Sequence, residues 1–277
     1  MTGQLYVVAT PIGHLDDMTL RAIQVLKSVD LIAAEDTRQS APLLKHFQIE
    51  TPLTACHDHN ESQKTQQLIE RMLAGENLAL ISDAGTPLIS DPGFKLVRAA
   101  QQNGIRVIPI AGACAAIAAL SAVGLPSDKF SFQGFLASKA SQRQKQLEQL
   151  KNDTQTLIFY EAPHRIVDCL SDMVQIFGEQ RMAGFAREIS KTFETIKQMP
   201  LGELLHFVQN DHHQQKGEIV LIIDGAAEQD EVETAELDRF LNRVLQDVSV
   251  KVASQLASDL LGVKKKVAYQ RALELSE

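Results

Sequence analysis

The stretch NLALISDAGTPLISDPG (77–93) decides the fold. Its first part, NLALIS (77–82), is a continuous apolar run, the pattern of a strand buried on both faces. The run breaks into a loop, 81–93, that holds two glycines, two prolines and two aspartates, more than a simple connection requires. Gly85 gives a ligand close access to backbone. Asp91 and Pro92 suit the N-cap and first position of a helix over 93–102.

Working outward, the same alternation repeats. QLYVVA (4–9), LIAAE (31–35) and IRVIPI (105–110) read as strands, and 18–28 and 60–74 as amphipathic helices between them. Strand and helix in turn predict a parallel α/β sheet. A second series follows Pro126. KFSFQGF (129–135), TLIFYE (156–161), RMAGFARE (181–188), TFETIKQM (192–199) and EIVLIID (218–224) read as strands, with helices at 139–151, 164–177 and near 201–209. Several of these strands follow one another without a helix, which predicts a mixed or antiparallel sheet. The expected organisation is an α/β protein with an N-terminal domain over 1–115, a second α/β domain over 116–225, an acidic linker over 226–236 and a helical extension over 237–277. In that extension Leu237, Phe240, Leu241, Val244 and Leu245 fit one helix, and Val252, Leu256, Leu260 and Leu261 a second that Gly262 would end. A third helix from the Lys264–Lys266 cluster would make a helix-turn-helix or a packing cap.

The chain has 277 residues, of which 44% are hydrophobic and 22% charged, which excludes a disordered chain, a collagen and a disulfide scaffold. Cys56, Cys114 and Cys169 are widely spaced and signal neither a disulfide framework nor a zinc site. The N-terminus has no signal-peptide pattern, and the uncharged stretch between Arg106 and Asp128 is too alanine-rich and too interrupted for a membrane span. A cytoplasmic protein without membrane contact is expected. The net charge of −8 argues at first against a nucleic-acid partner. Its distribution weakens that argument. Lys129, Lys139, Arg143 and Lys145 fall in a stretch without an acid, whereas 225–236 carries five acids and no base.

Functional residues of α/β sheets cluster in loops at the carboxyl ends of strands. ATPIGHLDD (9–17) lacks the GxGxxG of a dinucleotide cradle, but Thr10, Pro11 and Gly13 allow a tight turn with exposed backbone. AEDTR (34–38) sets Glu35 and Asp36 beside Arg38, an arrangement for acid/base work, although Asp36 also suits a helix N-cap. YEAPHR (160–165) groups Glu161, His164 and Arg165. GFLASKASQR (134–143) spaces Lys139 and Arg143 four apart, as on one helix face, where they are candidate phosphate contacts. CHDHN (56–60) is set too closely for metal ligands, and His212 and His213 read as solvated.

ATPIGHLDDMTLRA, AEDTR, SDAGTPLISDPG, GFLASKASQR and YEAPHR, in this order, resemble the signature of the ribosomal RNA small subunit methyltransferase I family, within the tetrapyrrole-methylase fold group. The resemblance covers residues 4–224, and the helical tail fits it. It departs at His14, often Asn in the family, at Ala137, usually Pro, and in the proline-poor 111–116 stretch. The resemblance implies two α/β domains with S-adenosylmethionine in the cleft between them, a homodimer, no metal, and methyl transfer to a cytidine ribose 2′-hydroxyl in the decoding region of 16S rRNA, acting on the assembled subunit. It places the cofactor on Pro11, Gly13, Asp83, Gly85, Thr86, Pro87, Ala111, Gly112 and Ala113, with Ala162 and Ala186 closing the cleft. Glu35, Asp36 and Glu161 are the expected base or orienting acid. Arg38, Lys139, Arg143, His164 and Arg165 are expected near RNA. A tetrapyrrole C-methyltransferase of the same fold is the competing expectation, and a non-enzymatic nucleic-acid-binding regulator a more distant one.

Overall fold

The computed structural model describes residues 2–57, 61–227 and 234–276. The chain divides into two compact units, Met1–Gly225 and Ala226–Glu277.

The first unit contains two sheets. In the first, β1 (Gln4–Val8), β2 (Leu31–Ala34), β3 (Leu53–Ala55), β4 (Leu78–Ile81) and β5 (Arg106–Ile110) run parallel in the order β3-β2-β4-β1-β5. Alternate residues feed opposite faces, as the period of a strand dictates. Leu5, Leu78 and Leu80 pack under α3 (Glu61–Leu73) and α4 (Phe94–Gln102), whereas Val8, Ala79 and Ile81 pack under α1 (Leu20–Ser28) and α2 (Thr37–His46). Burial on both faces is why the central strands β2 and β4 read as unbroken apolar runs. Thr19 caps α1 by accepting from Ala22 N, and Asp36 caps α2 by accepting from Arg38 N.

The second sheet has the order β6-β7-β10-β8-β9, with β6 (Phe130–Phe135) parallel to β7 (Thr156–Glu161) and β10 (Ile219–Ile223), β8 (Met182–Arg187) and β9 (Thr195–Pro200) joined antiparallel. The mixed sheet expected from the sequence is what forms. One face carries Leu157, Phe159, Phe185 and Leu221 against α6 (Ala140–Leu150), α7 (Ile166–Phe177) and α8 (Leu201–Asn210). The other carries Ile158, Ala186, Val220 and Ile222 against α5 (Ala115–Ala122). Among the described residues no helix is long and apolar enough to cross a membrane.

Three elements differ from the sequence reading. The edge strand β3 is too short to signal itself. Helix α4 starts at Phe94 with Gly93 as N-cap, not at Asp91; the Glu61 carboxylate of α3 accepts from Gly93 N at 3.1 Å and Lys95 N at 2.9 Å and so does the capping. His212 and His213, read as loop, open a short 3-10 turn, and both are exposed.

The second unit holds α9 (Thr234–Val244), α10 (Val250–Leu261) and α11 (Lys265–Ser276). Gly262 ends α10 in the left-handed region, φ 70°, as the sequence predicts. The buried stripe of α10 is Ala253, Ser254 and Ala257, while Val252 and Leu260 are exposed, contrary to the pattern read from the larger side chains. Small residues let α10 approach Ala268 and Ala272 of α11 closely. Arg271 of α11 grips both Asp238 oxygens of α9 at 2.7 Å. Of the acidic stretch, Glu228, Asp230, Glu231 and Glu233 lie outside the described residues, as do Asp58 and His59 of the histidine cluster.

Candidate active site

Three loops at the carboxyl ends of β1, β4 and β5 are tied to one another. Thr10 N donates to Gly85 O at 2.8 Å and Gly85 N to Thr10 O at 3.0 Å. The Thr86 hydroxyl donates to Ala113 O at 2.9 Å. Gly112 lies against β1 so closely that a Cβ on it would be 2.8 Å from the Ala9 Cβ. Gly85 has φ +80° and no side chain over the loop, and an added Cβ would meet Ile12 at 3.3 Å. Leu88 and Ser90 are also held at positive φ, 74° and 68°, a conformation side-chain-bearing residues adopt at a cost of order 1–3 kcal/mol each. Such strain in a loop is characteristic of ligand clamps.

Above these loops is a cavity of about 370 Å³. The first sheet contributes Ile12, Glu35, residues 83–86 and Ile89, Ser90 and Asp91; the second contributes Phe135, residues 160–163 and residues 218–220; Cys114 and Ala115 lie between. The volume suits a small organic ligand. Ile12, Ile89, Phe135, Ile219 and Val220 form apolar walls, while Glu35, Asp83, Asp91 and Glu218 bias the field toward a cationic ligand. The Tyr160 hydroxyl accepts from Ala116 N at 3.2 Å, and burial pushes its phenol well above the usual range.

A second, open hollow of about 410 Å³ adjoins the first and is lined by residues 35–39, Ala55, His57 and Asp83. Glu35 and Asp83 therefore wall both spaces. Asp83 accepts from Asp36 N at 3.1 Å, and its own N–H faces Glu35 Oε2 at 3.5 Å. Arg38 donates to both Asp36 oxygens, at 3.1 and 2.7 Å, and holds that carboxyl at about 2. Asp83 moves the other way: burial raises its carboxyl above the ordinary 3.8.

That shift makes a stability prediction. A carboxyl raised on folding makes the folded state bind more protons than the unfolded one, so stability falls as pH rises through the window above 3.8. Asp83→Asn keeps an acceptor for Asp36 N–H and removes the charge. It is expected to match or exceed the wild type in denaturant melts at pH 7, with the advantage vanishing at pH 3. An advantage that grows toward acid would contradict the assignment.

Of the expected cofactor residues, Asp83, Gly85, Thr86 and Ala162 line the cavity. Pro11, Gly13, Pro87, Ala111, Gly112, Ala113 and Ala186 do not wall it. Pro87 and Ala186 are buried behind the surface. Ala111, Gly112 and Ala113 set the backbone turn that Thr86 and Ala9 engage. Gly13 is an inter-sheet contact instead, where a Cβ would fall 2.6 Å from Ile189 O. The lining residues that sequence reasoning missed are mostly neighbours of those it chose: Ile12 beside Pro11, Cys114 beside Ala113, Phe135 and Tyr160 inside quoted motifs. Glu218, Ile219 and Val220 carried no local signal.

The catalytic and RNA sets separate further. The Glu161 side chain has 0% exposure and faces Arg165 and its neighbour Ala162 N, so its carboxylate is shut away behind the wall it supports. Arg38 and His164 are exposed. Lys139 is exposed and is the N-cap of α6 in extended conformation. The expectation for Arg143 is corrected: it is only 4% exposed, and its Nε donates to Asp172 Oδ2 of α7 at 2.6 Å. Because Lys139 precedes the helix, the spacing of four does not put the two on one face. Arg143 instead shares its face with Leu147, which is in the core. Arg165 is half-buried, and its Nη2 donates to Leu136 O at 2.7 Å and Ala137 O at 3.3 Å.

Two α/β sheets closing one cavity over the strand ends define a class, the tetrapyrrole methylases. The family model described as tetrapyrrole (corrin/porphyrin) methylases matches residues 4–205, and a second, the RsmI C-terminal HTH domain, matches residues 231–276. Proteins called ribosomal RNA small subunit methyltransferase I from Pseudomonas aeruginosa and Escherichia coli O157:H7 are 55% and 51% identical to this chain, over 98% of it and over 97% and 95% of their own lengths. The chain belongs to the ribosomal RNA small subunit methyltransferase I family. Among solved structures, a cobalt precorrin-4 methyltransferase and a diphthine synthase share the fold, with TM-scores of 0.59 and 0.60 at 14% and 13% identity, over 79% and 80% of this chain and 94% and 90% of theirs.

Proposed function

We infer that this chain methylates small-subunit ribosomal RNA in the cytoplasm, with S-adenosylmethionine held in the inter-sheet cavity and a cytidine ribose 2′-hydroxyl of the 16S decoding region as acceptor. The observation that carries the reading is the cavity itself: it has apolar walls, a glycine cradle at Gly85, acidic rims and an adjoining open hollow, in a chain that matches the family end to end. The residues fit the donor. The buried apolar walls at Ile12, Ile219 and Val220 suit an adenosine, the bare backbone at Gly85 leaves room for it, and the acids suit a sulfonium cation. When bound, the sulfonium supplies an already electrophilic methyl carbon. The chain's task is then to align the acceptor, exclude water and take up the hydroxyl proton. Residues 83–86 would hold the donor and residues 35–39 would face the acceptor. Glu35 is assigned as the base, because it lines both spaces, whereas Asp36 lines only the hollow and the enclosed Glu161 only the cavity. A homodimer and an assembled-subunit substrate complete the proposal. A tetrapyrrole acceptor is not favoured: the full-length relatives are named for ribosomal RNA, and the likeness to corrin enzymes is one of fold.

The test is incubation with labelled S-adenosylmethionine and either undermethylated 30S subunits or free 16S rRNA. Label in the RNA of subunits is expected, and label in neither would overturn the reading. Lys139 contributes a phosphate contact in this reading. Lys139→Ala is expected to reduce the slope of log affinity against log salt by about one, uniformly across RNA sequences, without loss of stability.

A further inference from the structure

The open side of the cavity carries a feature beyond the buried walls assigned to the donor. Strand β6 is a sheet edge with β7 as its partner, and its register shifts between Phe132 and Gly134. Gly134 has φ +65°, and a Cβ there would sit 3.4 Å from the Ser90 hydroxyl, so the strand crosses beside the strained 82–93 loop. A bulge re-aims the side chains that follow it. Here it brings Phe135, three residues after Phe132, onto the same ring: both lie edge-on to Tyr160, with centroids 4.9 Å away for Phe132 and 5.6 Å for Phe135. Phe135 lines the cavity and yet is 53% exposed. A large ring packed edge-on to Tyr160 and half open to solvent at a cavity is suited to be a stacking platform.

The backbone after Phe135 is held from beneath. Arg165 donates to Leu136 O and Ala137 O, Gln146 Oε1 accepts from Ala137 N at 2.9 Å, and Arg143 reaches Ser138 O at 3.5 Å while itself anchored on Asp172. This short run ends at Lys139, which is exposed and makes no ion pair among the described residues. An exposed ring and an exposed ammonium on one pinned segment match the two chemistries of a single-stranded nucleic acid, a base face and a phosphate.

We propose that residues 135–139 form a preset RNA-docking finger, in which the Phe135 ring stacks on a base of the strand entering the cavity and Lys139 meets a phosphate, with Arg165 as a positioning residue. This rests on the ribosomal RNA reading above. A base of the acceptor strand is favoured over the donor's own adenine because the Phe135 ring is 53% exposed on the open side of the cavity, whereas Gly85 is buried.

The experiment compares Phe135→Ala, Phe135→Leu and Phe135→Trp in the full-length protein. It measures S-adenosylmethionine affinity by calorimetry, kcat and KM for undermethylated 30S subunits, and thermal unfolding. Phe135→Ala is expected to lower kcat/KM for the RNA by about tenfold or more, with a markedly smaller change in donor affinity, because the donor's apolar walls at Ile12, Ile219 and Val220 stay intact. Phe135→Trp restores most of the loss and Phe135→Leu does not, because only a π-face stacks; unfolding temperatures stay level because the side chain is largely exposed. Equal performance of Phe135→Leu and wild type would overturn the proposal, as would a fall in donor affinity with the RNA parameters unchanged. If the wild type transfers no label to RNA, the ribosomal RNA reading itself falls. Wild-type transfer with an undiminished Phe135→Ala removes the docking finger alone.

Discussion

Arg143→Ala is expected to destabilise the Met1–Gly225 unit by about 3–5 kcal/mol and to leave the salt slope of RNA binding unchanged. The guanidinium is buried, and its Nε meets Asp172 Oδ2 at 2.6 Å; the other Asp172 oxygen accepts from Gln144 Nε2 at 2.7 Å. Truncation removes the cation and leaves the carboxylate enclosed between α6 and α7 with one amide for company. An isolated buried charge costs far more than a lost surface pair. Much of the loss is therefore the penalty on Asp172 and not the net worth of the bridge. The double variant Arg143→Met, Asp172→Leu separates the two: it removes both charges and should recover most of the stability. Denaturant unfolding at pH 7 reads both variants. Unchanged stability with a salt slope reduced by about one would return Arg143 to the surface role that its motif suggested.

The contrast between Lys139 and Arg143 illustrates what the residue order does and does not carry. The apolar strands β2 and β4, and the glycine-, proline- and aspartate-rich loop between β4 and α4, are legible because burial on both faces and backbone freedom leave direct marks on composition. Asp83, Gly85 and Thr86 of that loop line the cavity. Which residue of a neighbouring pair faces inward was not legible: Ile12 and Cys114 line the cavity where Pro11 and Ala113 were chosen. Helix phase decided Arg143, because the helix begins after Lys139 and Leu147 claims the same face for the core. Strand order decided residues 218–220. They reach the cavity because β10 lies between β7 and β8, a pairing between distant segments that no local pattern encodes. In the tail, side-chain size misled: Val252 and Leu260 looked like core, but the close approach of α10 and α11 requires alanines. The charge of −8 is averaged over the chain, in which exposed Lys139 and His164 coexist with a cavity lined by Glu35, Asp83, Asp91 and Glu218.

Glu35→Gln is expected to lower kcat for RNA methylation by about 10²- to 10⁴-fold while donor affinity stays within about threefold. A ribose hydroxyl is a weak nucleophile at neutral pH, so transfer requires a group within hydrogen-bond reach that accepts its proton as the new bond forms. Three carboxylates were candidates, and their surroundings differ. The Asp36 carboxyl is held at about 2 by the Arg38 guanidinium and its backbone N–H, which leaves it a poor proton acceptor. The Glu161 side chain is enclosed and facing Arg165, so Glu161→Gln should weaken folding through that buried pair before it alters chemistry. Glu35 alone of the three lines both the inter-sheet cavity and the hollow beside it, which in the proposed function is the boundary between donor and acceptor. Its mutation therefore separates from the others by readout. Asp36→Asn should lose capping stability with little change in turnover; Glu161→Gln should lose melting temperature; Glu35→Gln should lose kcat with donor affinity retained. Near-wild-type turnover in a folded Glu35→Gln enzyme would sink the assignment and move the search for the base to Asp83, the other carboxylate shared by the two spaces.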